Sequence, residues 1–231
     1  MKIDNLTFKF DASGSYFFNN LCVEFAPHTI NFIQGDNGVG KSTLFNILQG
    51  KTTAPQCLEA SITLDGKTYK TDNNILDPEF TNQLHTVQQN YDRMIAPQFT
   101  FMQNLQLANL PKFPGLHSLP KATIFDVMQS LPVNILTTPA HLLSGGQRQL
   151  LAILMSLQKP TRVLLLDEPT ATLDKKNAQM IMQCLQHLAC HLKVTMLIIC
   201  HDKELVEMYA EGMSYVMECA QDGSRILKKL A

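Results

Sequence analysis

The feature that most constrains the fold is a glycine-rich stretch ending in lysine and serine, Gly35-Asp36-Asn37-Gly38-Val39-Gly40-Lys41-Ser42-Thr43. It matches the phosphate-binding pattern G-x-x-x-x-G-K-[ST]. Residues 29–33 are patterned as a short strand and residues 43–49 as a helix, with Gly50 as a C-cap. Because α/β sheets bind ligands where a strand passes into a helix, this context predicts a nucleotide-binding α/β fold.

Each part of the stretch has a physical task in binding phosphate. Its glycines let successive backbone N–H groups face one anion, and the helix that follows adds its positive end. Lys41 is expected to reach the β- and γ-phosphates of ATP, Ser42 to bind Mg²⁺, and Thr43 to help at the α-phosphate. The loop residues predicted to surround the phosphates are Gly35, Asn37, Gly38 and Gly40.

A second motif is an apolar run that ends in two carboxylates, Val163-Leu164-Leu165-Leu166-Asp167-Glu168-Pro169. Such a run is typical of a strand that is covered on both faces. Asp167 is predicted to hold Mg²⁺, and Glu168 to face the water that attacks the γ-phosphate. Alone, the segment could equally be an acidic turn at the end of a strand.

A third motif is Leu143-Ser144-Gly145-Gly146-Gln147, which we call the signature turn. A serine and two glycines before a helix make an N-cap and an anion nest. By itself this would be an ordinary capped helix. Its position between the phosphate loop and the acidic strand, shortly before the latter, favours a functional role.

Strands and helices alternate along the 231 residues, so the pattern predicts an α/β core. The first 34 residues and a hairpin at 61–69 with Asp65-Gly66 at its turn are expected to form an antiparallel layer beside it. Residues 90–142 contain six prolines and no strand pattern, which indicates short helices in a compact insert. The basic C-terminal end carries no predicted element.

Together the three motifs resemble an ABC ATPase cassette in order and spacing, over the whole chain. The resemblance implies a P-loop NTPase core with an antiparallel β subdomain in residues 1–89 and 143–231, and a helical subdomain in 90–142. It implies ATP and Mg²⁺ as ligands and ATP hydrolysis as the activity. In this family the signature turn of one subunit closes over the nucleotide of another, so Ser144, Gly145 and Gly146 would act in trans in a homodimer.

The resemblance also implies roles for four single residues. Phe10 matches the aromatic that stacks on adenine, with Tyr16 as a competing candidate. Gln89 matches the glutamine that contacts Mg²⁺ and the attacking water, with its neighbour Gln88 as the alternative. Asp174 matches the aspartate of the loop after the acidic strand, and His201 matches the histidine that contacts the γ-phosphate.

Departures from the family pattern point to a subgroup. His28-Thr29 stands where Gly-Glu is common, and residues 171–174 read Ala-Thr-Leu-Asp rather than Ser-Ala-Leu-Asp. Apolar residues replace two usual arginines in the helix after the signature turn, and the gap from Gln89 to Pro97 is long. The last two features resemble a group of bacterial uptake cassettes that work with permeases and solute-binding proteins for small organic solutes.

Composition and hydropathy limit the classes of protein that fit this sequence. The strongest apolar runs, 150–157 and 194–200, are shorter than the ~20 residues of a spanning helix, and the N-terminus lacks a signal peptide's apolar region. We therefore expect a cytoplasmic subunit, held at the membrane by a permease, with six reduced cysteines. A net charge of −1 without a basic patch disfavours nucleic acid. A soluble ABC ATPase acting on DNA or ribosomes remains the main alternative, and a P-loop kinase for a small metabolite is a third.

Overall fold

Two β-sheets form the framework of the protein in a computed structural model, which describes residues 1–11, 14–52, 57–110 and 133–230. The first sheet is antiparallel, with the order β2-β1-β4-β5-β6. Its strands are β1 (Lys2–Lys9), β2 (Phe18–Glu24), β4 (Cys57–Leu64), β5 (Lys67–Asp72) and β6 (Ile75–Leu76).

The second sheet, called the core sheet, has the order β11-β10-β3-β9-β8-β7. Its strands are β3 (Ile30–Gln34), β7 (Leu84–Val87), β8 (Val163–Asp167), β9 (Thr195–Ile199), β10 (Ser214–Cys219) and β11 (Arg225–Lys229). All neighbours pair in parallel except β10 and β11. The predicted α/β class is confirmed.

Seven α-helices connect or cover these sheets in the described ranges. They are α1 (Lys41–Leu48), α2 (Pro78–Thr81), α3 (Phe101–Ala108), α4 (Val133–Thr137), α5 (Gly145–Ser156), α6 (Lys175–Leu192) and α7 (Lys203–Tyr209). None of the described helices is long and apolar enough to cross a bilayer.

The centre of the core sheet, made of strands β3, β8 and β9, is buried on both faces, as the continuous apolar run of β8 predicts. Successive side chains of a strand point to opposite faces. Accordingly Leu164 and Leu166 pack with the buried residues of α5 and α6. Val163 and Leu165 pack instead with α1 and the antiparallel sheet. The core sheet therefore lies between helices on one face and the antiparallel layer on the other.

Two details of the predicted organisation are corrected. Strand β3 was expected in the antiparallel layer, but it pairs in parallel with β9 and β10 at the centre of the core sheet. The basic C-terminal end is strand β11, paired antiparallel with β10. Its alternation of basic and apolar residues is short, and the partner strand rather than local propensity decides its conformation.

The predicted hairpin is present as β4 and β5, joined by Asp65 and Gly66. Both turn residues have positive φ, 49° and 81°, as a type I′ turn requires. In residues 90–142 the described parts contain α3, α4 and 3₁₀ turns at Tyr91–Met94 and Ala140–Leu142. The prolines at 111, 114, 120 and 132 lie outside the described residues, so the limits of a helical subdomain stay a prediction.

Candidate functional site

Four neighbouring strands of the core sheet bring the predicted site residues to one edge. Strands β3, β9, β8 and β7 are adjacent and parallel, so their carboxyl ends lie at the same edge. The glycine-rich loop follows β3, His201 follows β9, Asp167 and Glu168 end β8, and Gln89 follows β7. Although 166 residues separate Gly35 from His201 along the chain, the sheet order brings all four segments together.

The glycine-rich loop has a backbone that its glycines make possible. Gly35, Gly38 and Gly40 have φ of 139°, 79° and 119°. At Gly35 an added Cβ would lie 2.6 Å from the carbonyl oxygen of Met217 on β10, so close packing also requires glycine there. Helix α1 begins immediately afterwards, and the N–H groups of its first turn have no acceptor within the helix. This end of the helix therefore favours an anion.

Lys41 closes the loop from inside. Its Nζ donates to the carbonyl oxygens of Gly35 and Asp36 at 2.7 and 2.9 Å. Burial lowers the pKa of Lys41, while the charges of Glu168, Asp167 and Asp36 oppose that shift. The two carbonyl groups thus hold the ammonium at the mouth of the loop. Phosphate oxygens can replace them, because charged acceptors bind an ammonium more strongly than neutral ones.

The acidic pair at the end of β8 is presented by an unusual backbone. Glu168 has φ of 50°, the left-handed region that non-glycine residues seldom occupy. Its N–H donates to the carbonyl oxygen of Ile199 at 3.1 Å, which fastens this turn to the end of β9. Backbone strain of this kind persists only where surrounding structure enforces it, and it is concentrated at functional sites.

The Glu168 carboxylate lies between two polar side chains. His201 Nε2 is 3.1 Å from Glu168 Oε1, and Gln89 Nε2 donates to Oε2 at 3.5 Å. The Glu168 side chain is 28% exposed and that of His201 41%, so both can meet a ligand that enters from solvent. The contact made by Gln89 supports the choice of this residue over Gln88.

Asp167, the last residue of β8, is half-buried and suits a cation. Burial, followed by the charge of Glu168, raises the pKa of Asp167, whereas Lys41 and a hydrogen bond from Ser42 lower it. A half-buried carboxylate beside a hydroxyl supplies the hard oxygen ligands that Mg²⁺ prefers. A cation there would also relieve the repulsion between Asp167 and Glu168. The donor set therefore fits Mg²⁺.

The site residues surround a cavity of about 170 Å³. Pockets that enclose a whole ligand of drug-like size measure roughly 300–1,000 Å³. The cavity is therefore large enough for phosphate groups, and the described residues that line it would leave the rest of a nucleotide uncovered. Its lining residues are Asn37, Gly38, Gly40, Lys41, Ser42, Thr43, Asp167, Glu168, Ile199 and His201.

An aromatic cluster lies beside the glycine-rich loop. The Phe17 ring contacts Gly40 so closely that a Cβ there would be 2.6 Å away. Phe10 packs edge-on against Phe17, with ring centroids 5.2 Å apart, and remains 58% exposed. Tyr16 instead carries Lys9 Nζ 3.9 Å above its ring centroid. Phe10 is thus one ring away from the loop and has a free face.

The signature turn is a fully formed helix start that contributes nothing to this cavity in the described residues. Ser144 Oγ accepts from Gln147 N–H at 3.3 Å, and Gln147 Oε1 accepts from Ser144 N–H at 2.9 Å. This reciprocal capping box holds the turn open to solvent at Ser144. Ser144, Gly145 and Gly146 are therefore ordered, but apart from the phosphate loop of their own chain.

Two contacts join the signature turn to the segment that follows Gln89. The Tyr91 hydroxyl donates to the carbonyl oxygen of Gly145 at 3.2 Å. Arg148 Nε donates to Asp92 Oδ1 at 3.0 Å. The segment after Gln89 is therefore in direct contact with the signature turn and with the helix that begins there. The sequence analysis did not identify Tyr91, Asp92 or Arg148, because no spacing rule relates them.

Asp174 begins α6 as its N-cap. Its Oδ1 accepts from Asn177 N–H at 2.9 Å, and its Oδ2 accepts from the Asn177 side-chain amide at 2.7 Å. These hydrogen bonds, first the one from the backbone, lower the pKa of Asp174. Asn177 also lies against Gly146, where an added Cβ would be 3.3 Å from it. The loop that carries Asp174 thus packs beside the signature turn.

With the site described, comparison with known proteins is informative. A family model described as ABC transporter matches residues 18–171. The chain is 30% identical to a tyrosine transport ATP-binding protein of Clostridioides difficile, a match that covers 85% of this chain and 78% of that protein. It is 31% identical to the energy-coupling factor transporter ATP-binding protein EcfA of Methanosphaera stadtmanae, over 80% of this chain and 64% of that protein.

Solved structures extend the likeness to the whole fold. The protein is similar to cbiO1 from Clostridium perfringens, described as part of the ABC transporter complex cbiONQ, with a TM-score of 0.77 and 26% identity. That match covers 99% of this chain and 87% of the other. The dimeric, post-hydrolysis ATP-binding cassette MJ0796 bound to ADP and Pi matches with a TM-score of 0.67 and 25% identity, over 100% and 98% of the two chains.

Proposed function

This chain belongs to the ABC transporter family and is an ATPase, and from that premise we propose that it powers the uptake of a small organic solute. The observation that carries the proposal is the meeting of four strand ends at one edge of the core sheet. That edge combines an anion-binding loop, two carboxylates, a histidine and a glutamine. These are the groups that phosphoryl transfer to water needs, because positioning and charge compensation dominate that reaction.

The phosphates of ATP bind in the glycine-rich loop. Backbone N–H groups of the loop and of the first turn of α1 face the anion, and Lys41 gives up its two carbonyl acceptors to hold the β- and γ-phosphates. Thr43 lines the same cavity and would help at the α-phosphate. The direction from which the phosphates approach is fixed by the loop residues Gly35, Asn37, Gly38 and Gly40.

Asp167 and Ser42 would hold Mg²⁺, and Gln89 would complete its protein ligands. When bound, the metal supplies positive charge that compensates the phosphate oxygens during transfer. Asp167 contributes the charge of a carboxylate that is half-buried and repelled by Glu168 in the free protein. Ser42 donates a hydrogen bond to Asp167 and so orients it.

Glu168 accepts a hydrogen bond from the attacking water and polarises it toward the γ-phosphate. Gln89 and His201 hold its two carboxylate oxygens in the free protein. With ATP bound, we propose that His201 turns to the γ-phosphate and Gln89 to the water and metal. Glu168 is then free to act on the water, in an orientation that its left-handed backbone fixes.

Phe10 stacks on the adenine ring. Its exposed face and its contact with Phe17 put an aromatic surface next to the phosphate loop. Tyr16 remains the competitor, but its ring face is occupied by Lys9. An aromatic side chain binds a base by stacking on its π face, so the adenine ring requires no polar partner here.

A second copy of the chain completes the site. The cavity has room for phosphate groups, while the signature turn lies elsewhere on the same chain, with Ser144 exposed, Gly145 partly exposed and Gly146 buried against Asn177. We propose that Ser144, Gly145 and Gly146 of one subunit close on the γ-phosphate held by its partner. Asp174, packed beside the signature turn through Asn177, lies in the same interface.

Closure is passed to a permease through the segment after Gln89. Tyr91 and Arg148 link that segment to the signature turn, so ATP binding moves both together. The tyrosine transport protein and cbiO1 are named as parts of transport systems, which supports a transporter role. We propose import with a solute-binding protein because two departures from the family pattern resemble a group of bacterial uptake cassettes. Location at the inner face of the membrane follows from binding to the permease.

The test is to recover the tagged chain from native membranes in mild detergent and to identify its partners by mass spectrometry. The proposal predicts a multi-spanning permease, with a solute-binding protein among the proteins recovered. Recovery of ribosomes or DNA-repair proteins by a folded, ATP-binding chain would overturn it. A Gly145→Asp variant, at a position where an added Cβ meets nothing closer than 3.7 Å, should recover the same permease, because the substitution is directed at the proposed nucleotide interface.

A further inference from the structure

The C-terminal strand reaches back to the phosphate loop through Arg225. Arg225 Nε donates to the carbonyl oxygen of Val39 at 3.2 Å, and the backbone N–H of Arg225 donates to the carbonyl oxygen of Phe17 at 2.8 Å. Its guanidinium carbon lies 4.7 Å from the centroid of the Phe17 ring. Another guanidinium nitrogen donates to the carbonyl oxygen of Gly223. The half-buried guanidinium is thus fixed by backbone groups and an aromatic face.

The hydrogen bond to Val39 determines the direction of the next N–H group. In a planar trans peptide the C=O of one residue and the N–H of the following residue point in opposite directions. With the Val39 carbonyl turned toward Arg225, the Gly40 N–H points away from Arg225. Gly40 lines the phosphate cavity, and Arg225 is not among its described lining residues. The Gly40 N–H is therefore directed to the side where phosphate binds.

Without such support this peptide would be free to turn. Gly40 has φ of 119°, and glycine reaches positive and negative φ at similar cost. Phe17 restricts Gly40 from one side, since an added Cβ would be 2.6 Å from its ring. Arg225 packs on that ring and holds the adjoining carbonyl. The two side chains form a clamp around the Val39–Gly40 peptide, and we call it the Phe17–Arg225 clamp.

We propose that Arg225 is a positioning residue for nucleotide binding, which orients the Gly40 N–H of the phosphate loop before the phosphates arrive. This inference rests on the proposed binding of ATP in that loop. Preorganised donors need no reorganisation when the ligand binds, so the affinity for the phosphate groups is higher. Because the same N–H contacts phosphate before and during hydrolysis, the clamp strengthens binding and leaves the chemical step unchanged.

The test replaces Arg225 with Met, which can still pack on Phe17 but cannot donate to Val39. Loss of one charge-assisted hydrogen bond predicts about a tenfold higher Kd for ADP and KM for ATP, with kcat within about twofold. Displacement of a fluorescent ADP analogue gives the Kd, and phosphate release gives KM and kcat. Arg225→Lys retains a donor and is expected to lose less affinity than Arg225→Met.

Three controls separate this inference from the rest. Lys228 lies on the same strand as Arg225, and the Lys228→Ala substitution removes only a surface ion pair with Glu218. The ADP affinity of this variant should therefore equal that of the wild type. Lys41→Ala should lose nucleotide binding. Unfolding in urea without nucleotide should show the same midpoint for Arg225→Met and Arg225→Lys. Unchanged ADP affinity in Arg225→Met, or equal losses in the Met and Lys variants, would overturn the clamp. Normal binding by Lys41→Ala would instead contradict the phosphate-loop assignment.

Discussion

The Glu168 carboxylate and the His201 imidazole face each other, 3.1 Å apart, across the carboxyl ends of two neighbouring parallel strands. Each side chain follows a strand that is buried on both faces, and Glu168 is turned by a left-handed backbone. The pair is therefore positioned by the centre of the core sheet rather than by flexible loops. Rigid support of this kind is required of groups that must meet a ligand in one geometry.

The first prediction concerns Glu168→Gln. The amide keeps the shape of the side chain but is a poor acceptor for a water proton, so turnover should fall about a hundredfold or more. ATP affinity should stay within about twofold of the wild type, because Glu168 does not belong to the phosphate loop. Steady-state phosphate release and equilibrium binding provide the two numbers. The control is Glu204→Gln, which breaks only an exposed pair with Lys175. Normal turnover by Glu168→Gln would contradict the assignment of Glu168 as the residue that polarises the attacking water.

The second prediction concerns pH and Asp167. Because its pKa in the folded protein is raised, the folded state holds more protons than the unfolded chain at pH values just above 3.8, the ordinary pKa of an aspartate. Stability without nucleotide therefore falls as the pH rises through that window, and the ionised carboxylate remains a cost at pH 7. Asp167→Asn should raise the unfolding midpoint at pH 7 and flatten its pH dependence, while ATP hydrolysis drops about a hundredfold or more.

Urea denaturation from pH 4 to 8 measures that effect. Asp222→Asn is a control of opposite sign, because hydrogen bonds from Ser224 lower the pKa of Asp222 in the folded protein. This control should not become more stable at pH 7. A lower midpoint for Asp167→Asn than for the wild type would show that the carboxylate stabilises the free protein, contrary to the geometry.

The third prediction decides between Phe10 and Tyr16. Phe10→Ala should weaken ATP binding by up to about tenfold, the value of one lost aromatic stack. Phe10→Trp should retain affinity. Tyr16→Ala should leave it unchanged, because the Tyr16 ring face carries Lys9. Fluorescence titration with ATP and with inorganic triphosphate separates the adenine contribution. The reverse outcome, with loss only in Tyr16→Ala, would assign the adenine contact to Tyr16.

The fourth prediction concerns stability at His28. His28 stands where glycine is common in the family, and it has φ of 58°. Its Nδ1 is buried without a hydrogen-bond partner among the described residues. Glycine has no steric penalty in that region, so His28→Gly should raise the free energy of unfolding by about 0.5–1 kcal/mol. Urea unfolding at pH 7 measures it. A destabilised variant would mean that packing of the imidazole outweighs the backbone strain.

Much of the site could be predicted because local sequence determines it. The glycine-rich loop, the end of β8 and the capped start of α5 depend on residues within a few positions of one another. Short-range rules of turn, cap and strand therefore predict them. The shared edge of β3, β9, β8 and β7 was not predicted, since strand order is not encoded in any single segment.

Contacts between distant segments could not be predicted. Arg225 lies 186 residues from Val39, and Tyr91 lies 54 residues from Gly145. No spacing or periodicity relates such pairs, because the sheet order brings them together. The same reason explains the placement of β3, which reads as one more N-terminal strand but pairs with strands from the far end of the chain.

The central claim is that two chains complete each ATP site, and molar mass in solution tests it most directly. Glu168→Gln binds ATP without hydrolysing it, so size-exclusion chromatography with light scattering should give twice the 25.9 kDa of the chain with ATP, and the monomer mass without it. Adding Gly145→Asp, at a position where a Cβ has no neighbour closer than 3.7 Å, should keep ATP bound but abolish the dimer. A Glu168→Gln chain that remains monomeric with ATP bound, or a Gly145→Asp chain that dimerises equally well, would contradict the account.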